Sequence, residues 1–115
     1  MTRTMLRAKI HRVTVTESDL EYEGSIALCP ALLEAAGLAE YEQVLVANLA
    51  NGQRFVTYAL RGRPGQACVN GAAARLALPG DRLIVMAFAQ VPEADLAGFA
   101  PRLVKVDREN RPFPG

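Results

Sequence analysis

The dipeptide Asn51-Gly52 constrains the fold more than any other short segment, because an Asn-Gly pair favours the tight turn of a β-hairpin. It lies between the runs EQVLVANL and QRFVTYAL, whose β-branched and apolar residues are typical of strands. In the second run Arg54 and Tyr58 share one predicted face, and Thr57 lies on the other. The middle of the chain is therefore predicted to be a pair of antiparallel strands.

The remaining segments predict further short strands and little helix. MLRAKIHRVTVT alternates between apolar and polar residues, with a shift before Val13, which predicts a half-buried strand with Lys9 and His11 on one face. Strands are also predicted for SIAL, QACV, RLIVMAFAQV and PRLVKVD, short helices for PALLEAAG and NGAAARLAL, and a helical turn for PEADLAGF. Short strands joined by Gly-rich turns indicate a mainly β fold, a small β-barrel.

The length of the chain, 115 residues, fits one domain, which we predict to span residues 1–106 with a C-terminal tail over 107–115. Hydrophobic residues make up 50% of the chain, which is enough for a core, and oligomerisation is a natural support for a domain this small. The net charge of +1 provides no basic surface, so neither nucleic acid nor an anionic membrane is expected as a partner.

The residues that bind metals or form disulfides are few and widely spaced. Cys29 and Cys68 lie far apart and His11 is the single histidine, so no metal site and no disulfide are predicted. The N-terminal segment MTRTMLRAKIHRV is too interrupted by charges for a signal peptide. No apolar run approaches the roughly 20 residues of a membrane span. We therefore expect a soluble, cytoplasmic protein.

Each polar residue in these segments, taken singly, has an ordinary structural explanation. Lys9 and His11 fit the solvated side of an edge strand, since such side chains are usually exposed. Gly24-Ser25 and Asn70-Gly71 are both typical of turns. Residue types alone therefore do not single out an active site.

Taken together, five segments occur in the order and close to the spacing of a known family. They are MLRAKIHRVTVTESDLEYEGS, LLEAAGLAEYEQV, NGQRFVTYA, VNGAAA and PGDRLIV. From about Thr4 to Val91 the chain resembles the aspartate 1-decarboxylases, small pyruvoyl-dependent enzymes that make β-alanine for pantothenate synthesis. No single segment is decisive, but the ordered set is highly specific.

The resemblance implies that the protein cuts its own chain between Gly24 and Ser25, and that Ser25 becomes a covalently bound pyruvoyl cofactor. The residue types suit this chemistry. Gly24 has no Cβ, so a hydroxyl can approach its carbonyl closely, and the β-hydroxyl of Ser25 can both attack that carbonyl and leave. By the same resemblance, Thr57 assists the cleavage by hydrogen-bonding the developing oxyanion.

The resemblance also implies roles for residues around the cofactor. The substrate-binding set would comprise Lys9, His11, Arg54, Thr57, Asn70, Gly71, Ala72 and Ala73. Arg54 is the strongest candidate for gripping a carboxylate of L-aspartate, because its planar guanidinium binds carboxylates in bidentate fashion. Tyr58 would return a proton to the substrate after decarboxylation, and Tyr22 would lie beside the cleavage site.

For the fold and assembly, the resemblance implies a six-stranded double-psi β-barrel with short helices, assembled as a homotetramer with active sites between protomers. Three features depart from the family pattern: Ala47 replaces a pocket-side aromatic residue, the loop LRGRPGQACV is about two residues shorter, and Arg75 stands where some members have histidine. Three alternatives stay open: the same chemistry on another amino acid such as glutamate, an uncleaved binding module without catalytic activity, and cleavage that needs a separate maturation factor.

Overall fold

The computed structural model describes residues 1–113, which form one nine-stranded sheet with three short helices. The strands are β1 (Thr2–Thr14), β2 (Glu17–Asp19), β3 (Ser25–Leu28), β4 (Gln43–Asn48), β5 (Arg54–Arg61), β6 (Ala67–Asn70), β7 (Arg82–Pro92), β8 (Arg102–Val106) and β9 (Pro112–Phe113). The helices are α1 (Pro30–Ala36) and two 3₁₀ helices, Gly71–Leu76 and Glu93–Gly98. The strand order is β2-β6-β3-β5-β4-β7-β1-β8-β9.

This architecture confirms the mainly β class, and it is consistent with a small β-barrel. Within residues 1–113 the strands number nine rather than six, and two of them, β2 and β9, are only three and two residues long. Neither short strand has an alternating sequence pattern. Each is held by pairing with a longer neighbour, β2 with β6 and β9 with β8. No helix among the described residues is long and apolar enough to cross a membrane.

β1 is paired along both of its edges. It runs antiparallel to β7 from Thr2 to Thr14 and parallel to β8 from Ala8 to His11. The expected shift in its alternation is a bulge at Arg12, whose φ is +78°, and it returns Val13 to the buried face. Ala8, Ile10 and Val13 therefore all face the core despite the break in the period, whereas the first three residues of β1 are exposed.

β3 lies between two partners of opposite direction. It is antiparallel to β6, with Ser25 opposite Asn70, and parallel to β5, with Ile26 opposite Ala59. Ile26 and Leu28 are fully buried, which is typical of a short central strand. This placement brings the start of β3, the end of β6 and the middle of β5 to one region of the sheet.

Helix α1 follows β3 in the chain and covers the part of the core beside β8 and β1. Pro30 begins it, and Gly37, with φ of +69°, ends it in the left-handed conformation that glycine adopts readily. Leu32 and Leu33 are buried against the sheet. Cys29, just before the helix, and Cys68 on β6 are both buried and both free thiols.

The segment expected to form a tail, 107–115, is attached to the fold as far as residue 113, and its last two residues lie outside the described part. Asn110 is 1% exposed, and its side chain accepts a hydrogen bond from the Thr14 N–H at 2.8 Å. It also donates to the carbonyl oxygens of Thr14 at 2.8 Å and Gly65 at 3.0 Å. One asparagine therefore joins the end of β1 to the loop before β6.

We expect Asn110→Ala to lower the free energy of unfolding by about 3 kcal/mol, since it removes three hydrogen bonds worth about 1 kcal/mol each and leaves buried backbone groups unpaired. Thermal unfolding at matched protein concentrations would measure the loss. Asn110→Asp keeps the acceptor oxygen but turns a buried carboxylate oxygen toward two carbonyl oxygens, so at neutral pH it should destabilise the protein at least as much as Asn110→Ala. A loss below about 0.5 kcal/mol for Asn110→Ala would contradict this role.

Candidate active site

The candidate cleavage bond joins an exposed residue to a buried one. Gly24 lies on the surface, whereas Ser25, the first residue of β3, is 0% exposed. The Ser25 hydroxyl donates to the carbonyl oxygen of Glu23 at 3.1 Å and accepts from the side-chain amide of Asn70 at 3.0 Å. The hydroxyl is thus folded back over the turn that contains the Gly24-Ser25 peptide bond.

Asn70 holds the hydroxyl from the neighbouring strand. It is the last residue of β6, it is opposite Ser25 in the antiparallel register, and only 4% of its surface is exposed. Its Nδ2 group donates to Ser25 Oγ, and its Oδ1 atom accepts from the Cys68 thiol, with 3.1 Å between sulfur and oxygen. Cys68, Asn70 and Ser25 therefore form a continuous hydrogen-bonded chain.

Gly71 lies directly against the backbone of the cleavage turn. Its φ is +71°, a conformation that favours glycine, and an added Cβ would lie 2.6 Å from Gly24 Cα and 2.8 Å from Gly24 N. The same atom would be 3.2 Å from the Tyr22 carbonyl oxygen. The first 3₁₀ helix then continues with Ala72 exposed and Ala73 partly buried, so small residues surround this side of the turn.

β5, which carries Thr57 and Tyr58, is paired with β3, the strand that begins at Ser25. Ile26 is paired with Ala59 in the parallel register, so extending that register by one residue brings Ser25 level with Tyr58, and a second step brings Gly24 level with Thr57. Both β5 side chains are partly buried. The Tyr58 ring is 6.2 Å from the ring of Tyr41 between centroids, tilted by 33°. Among residues 1–113, no hydrogen bond links Ser25 to Thr57 or Tyr58.

Within residues 1–113, no hydrogen bond joins Ser25 to the other residues expected at the substrate, namely Arg54, Lys9 and His11, or to Tyr22. Arg54 begins β5, is exposed, and donates to the Gly52 carbonyl oxygen at 3.1 Å. Lys9 and His11 lie on β1, which is separated from β3 by three strands in the sheet order. Tyr22 is 56% exposed, and its carbonyl oxygen rather than its ring faces Gly71. The single chain therefore joins Ser25 to Asn70 and brings Gly71 against Gly24, and within residues 1–113 no hydrogen bond joins Arg54, Lys9 or His11 to them.

His11 is partly buried, and its Nδ1 atom is buried without a hydrogen-bond partner in the described chain. Desolvation lowers the pKa of this imidazole from its usual value of 6.5, and the positive charges of Lys9, Arg12 and Lys105 lower it further. The ring is therefore mainly neutral at pH 7. It can donate or accept a hydrogen bond, but it does not add a full positive charge to the site.

A cavity of about 440 Å³ opens beside the Cys68 end of the hydrogen-bonded chain. Tyr22, Cys68 and Asn70 line it, together with the ion pair between Arg63 and Glu17, whose nitrogen and oxygen are 3.2 Å apart. Ala47, expected at the pocket, is 7% exposed and paired with Arg54 across β4 and β5. The cavity therefore lies on the Cys68 side of the hydrogen-bonded chain.

Two groups at this site were not identified from the sequence. The Glu23 carbonyl could not have been found, since every residue carries one and only the turn conformation selects it. Cys68 could have been identified from its spacing. It lies two residues before Asn70, already a candidate, and residues two apart on a strand share a face. The spacing of Cys68 and Asn70 therefore predicts the contact that the structure contains.

Comparison with known proteins identifies the family of this chain. The family model described as aspartate decarboxylase matches residues 1–113. A protein of Albidiferax ferrireducens named aspartate 1-decarboxylase is 58% identical over 113 residues, which is 96% of this chain and 84% of that protein. Proteins of the same name from Methylobacillus flagellatus and Methylococcus capsulatus are 56% and 51% identical, each over 96% of this chain and 90% of their own length.

Proposed function

The chain belongs to the aspartate decarboxylase family, and we propose that it converts L-aspartate to β-alanine and carbon dioxide for pantothenate biosynthesis, after cutting itself between Gly24 and Ser25. The observation that carries the proposal is the Ser25 hydroxyl, buried and held by hydrogen bonds to the Glu23 carbonyl and the Asn70 amide. These contacts hold the nucleophile within the turn that contains the Gly24-Ser25 peptide bond, and a fixed nucleophile near the bond to be cut favours self-cleavage.

Cleavage begins when Ser25 Oγ forms a bond to the carbonyl carbon of Gly24. The peptide C–N bond breaks, the hydroxyl proton passes to the released amine of Ser25, and an ester remains. Loss of the Ser25 Cα proton then expels Gly24 as a carboxylate, and water replaces the nitrogen of the resulting dehydroalanine, releasing ammonia. Thr57, level with Gly24 in the extended register, is proposed to donate to the carbonyl oxygen as it gains charge.

The surroundings of Ser25 suit the pyruvoyl group that this chemistry leaves behind. Gly71 carries no side chain where a Cβ would meet the turn. Ser25 Oγ leaves with the Gly24 carboxylate, so the Asn70 amide that it accepted from becomes a donor for the group that replaces Ser25. A pyruvoyl group, when present, accepts the electron pair released as the substrate loses carbon dioxide. Asn70 and the Gly71, Ala72 and Ala73 backbone are proposed to hold it.

The remaining residues bind the substrate and move its proton. Arg54 is proposed to grip the carboxylate that stays, because a tight grip on the leaving carboxylate would stabilise the ground state and slow its loss. Lys9 supplies a second positive charge, and His11, mainly neutral, supplies a hydrogen bond. Tyr58, level with Ser25 in the extended register, is proposed to donate a proton to the substrate α-carbon.

A homotetramer with active sites between protomers is part of the same proposal. Arg54 and Lys9 are not joined to Ser25 within one chain, and a neighbouring protomer would bring them to it. Val56 and Leu103 are 61% and 66% exposed, which leaves apolar surface for such an interface. We also propose that the enzyme works in the cytoplasm, and a separate maturation factor is compatible with all of these features.

We expect Arg54→Gln to raise the KM for L-aspartate by about 30-fold with a smaller change in kcat, because charged hydrogen bonds to a carboxylate contribute about 2 kcal/mol. Steady-state kinetics on fully cleaved enzyme would measure both constants. Arg3→Gln is the matched control, since Arg3 is exposed and its guanidinium pairs with Glu93, outside the candidate site. An unchanged KM for Arg54→Gln would remove Arg54 from substrate binding.

The intact mass under denaturing conditions tests the proposed function first. Self-cleavage should yield residues 1–24 and 25–115, with the larger fragment lighter by one ammonia than hydrolysis alone would make it. A single uncut chain after prolonged warm incubation would contradict self-cleavage and favour a binding module or a missing maturation factor. Assays of the cleaved protein with aspartate and with glutamate then identify the substrate, since faster turnover of glutamate would support the alternative specificity.

A further inference from the structure

Cys68 lies within the hydrogen-bonded chain that ends on the reactive hydroxyl. It is two residues before Asn70 on β6, on the same face of the strand, and it is 5% exposed. Its sulfur is 3.1 Å from Asn70 Oδ1, and Asn70 Nδ2 is 3.0 Å from Ser25 Oγ. Any change in the orientation of the Asn70 amide therefore alters what Ser25 meets.

The Cys68 thiol and the Ser25 hydroxyl, at the two ends of the hydrogen-bonded chain, both require the same orientation of the Asn70 amide. The Ser25 hydroxyl donates its one proton to the Glu23 carbonyl oxygen. Ser25 Oγ can therefore only accept a hydrogen bond from Asn70, and it must face the Nδ2 group. Rotating the amide by half a turn would direct Oδ1 at Ser25 Oγ and draw the hydroxyl proton away from Glu23. It would also direct the amide donors at the Cys68 thiol, where no strong acceptor is present.

The environment of Cys68 keeps its proton in place. Burial raises the pKa of the thiol, and the carboxylates of Glu17 and Asp19 raise it further, whereas Arg63 lowers it. The thiol is therefore the protonated form at neutral pH, and it has an S–H to donate to Asn70.

We propose that Cys68 is a positioning residue for self-cleavage: its S–H group selects the amide orientation in which the Asn70 Nδ2 group holds the Ser25 hydroxyl against the Glu23 carbonyl, inside the cleavage turn. The inference rests on the self-cleavage proposed above. It assigns a hydrogen-bonding function to a buried cysteine that forms no disulfide.

The test compares Cys68→Ala with Cys68→Ser, because the two side chains are nearly equal in volume and differ in the hydroxyl donor. Cleavage of freshly purified protein would be followed by denaturing mass spectrometry. We expect Cys68→Ala to slow it about fivefold, the effect of losing one hydrogen bond, and Cys68→Ser to stay within about twofold of the unmodified chain. Cys29→Ala is the control, since Cys29 is equally buried but outside this chain of contacts, and it should leave the rate unchanged.

Equal cleavage rates for Cys68→Ala and the unmodified protein would overturn the proposal. A Cys68→Ser variant that is cut as slowly as Cys68→Ala would also overturn it, because the effect would then come from the packing of the sulfur and not from a hydrogen-bond donor. If the unmodified protein stays uncut, the proposal of self-cleavage fails, but the positioning role of Cys68 can still be tested. Nuclear magnetic resonance of the intact protein then provides that test. The order parameter of the Asn70 side-chain amide should then fall in Cys68→Ala but not in Cys68→Ser. Equal order parameters in both variants would exclude the role of Cys68.

Discussion

Ser25→Ala should leave a single uncut chain and reduce decarboxylation to the uncatalysed background. Alanine has no atom that can attack the Gly24 carbonyl, and without the cut no pyruvoyl group forms. The loss also leaves the Asn70 amide without its acceptor in a buried site, so we expect the free energy of unfolding to fall by about 2 kcal/mol. Denaturing mass spectrometry and an assay of carbon dioxide release would measure the first two effects, and thermal unfolding the third.

Two further variants separate the chemistry at residue 25 from general damage. Ser25→Cys retains a nucleophile of similar size, so we expect slow cleavage rather than none. Ser18→Ala removes another serine hydroxyl, one that donates to the Ala77 carbonyl and not to the cleavage turn, and it should be cut at the normal rate. Fragments 1–24 and 25–115 from Ser25→Ala would overturn the assignment of the nucleophile.

Gly71→Ala should slow self-cleavage by about 100-fold without unfolding the protein. A Cβ at this position would lie 2.6 Å from Gly24 Cα, where ordinary contacts are 3.4–4 Å, so the cleavage turn must move by roughly 1 Å. A displacement of that size at a reacting group reduces rates by about 10²-fold. Gly24 is exposed and can move aside, so the variant should still fold.

Gly52→Ala is the matched control for Gly71→Ala. Gly52 has a φ of +74°, close to the +71° of Gly71, but an added Cβ would meet nothing within 4 Å. Both variants should therefore show the same backbone strain, about 1 kcal/mol in the free energy of unfolding, and only Gly71→Ala should also lose cleavage rate. Equal cleavage rates in the two variants would show that the close approach of Gly71 to Gly24 does not matter for the reaction.

Much of the fold could be predicted because its strands carry local signals. The alternation in β1 and its break at Val13, the Asn51-Gly52 hairpin and the short β6 all have the expected bounds to within a few residues. The missed strand β2 consists of ESD, a polar run that is held by its parallel pairing with β6. Pairing partners are long-range facts, and no local pattern encodes them.

The candidate site, like the fold, could be predicted from the sequence only in part. The residue types at Ser25 and Asn70 were identified from the resemblance, but their contact arises from the pairing of β3 with β6, 45 positions apart in the chain. The buried Asn110 was assigned to a tail, because a lone polar residue near a terminus gives no sign that it will cap the ends of other elements. Likewise, nothing in the sequence shows that burial lowers the pKa of His11 and leaves it mainly neutral.

The double pairing of β1 has a consequence for the cleaved protein. Residues 1–24 contain β1, bonded to β7 and β8, and β2, bonded to β6, so cutting after Gly24 removes the covalent tether but none of these ladders. The mature subunit is then a complex of two peptides rather than one chain. Unfolding it also dissociates it, and refolding becomes a bimolecular encounter whose yield depends on protein concentration. The tether is needed only once, during the first folding, and maturation turns a reversible fold into one that depends on both peptides remaining together.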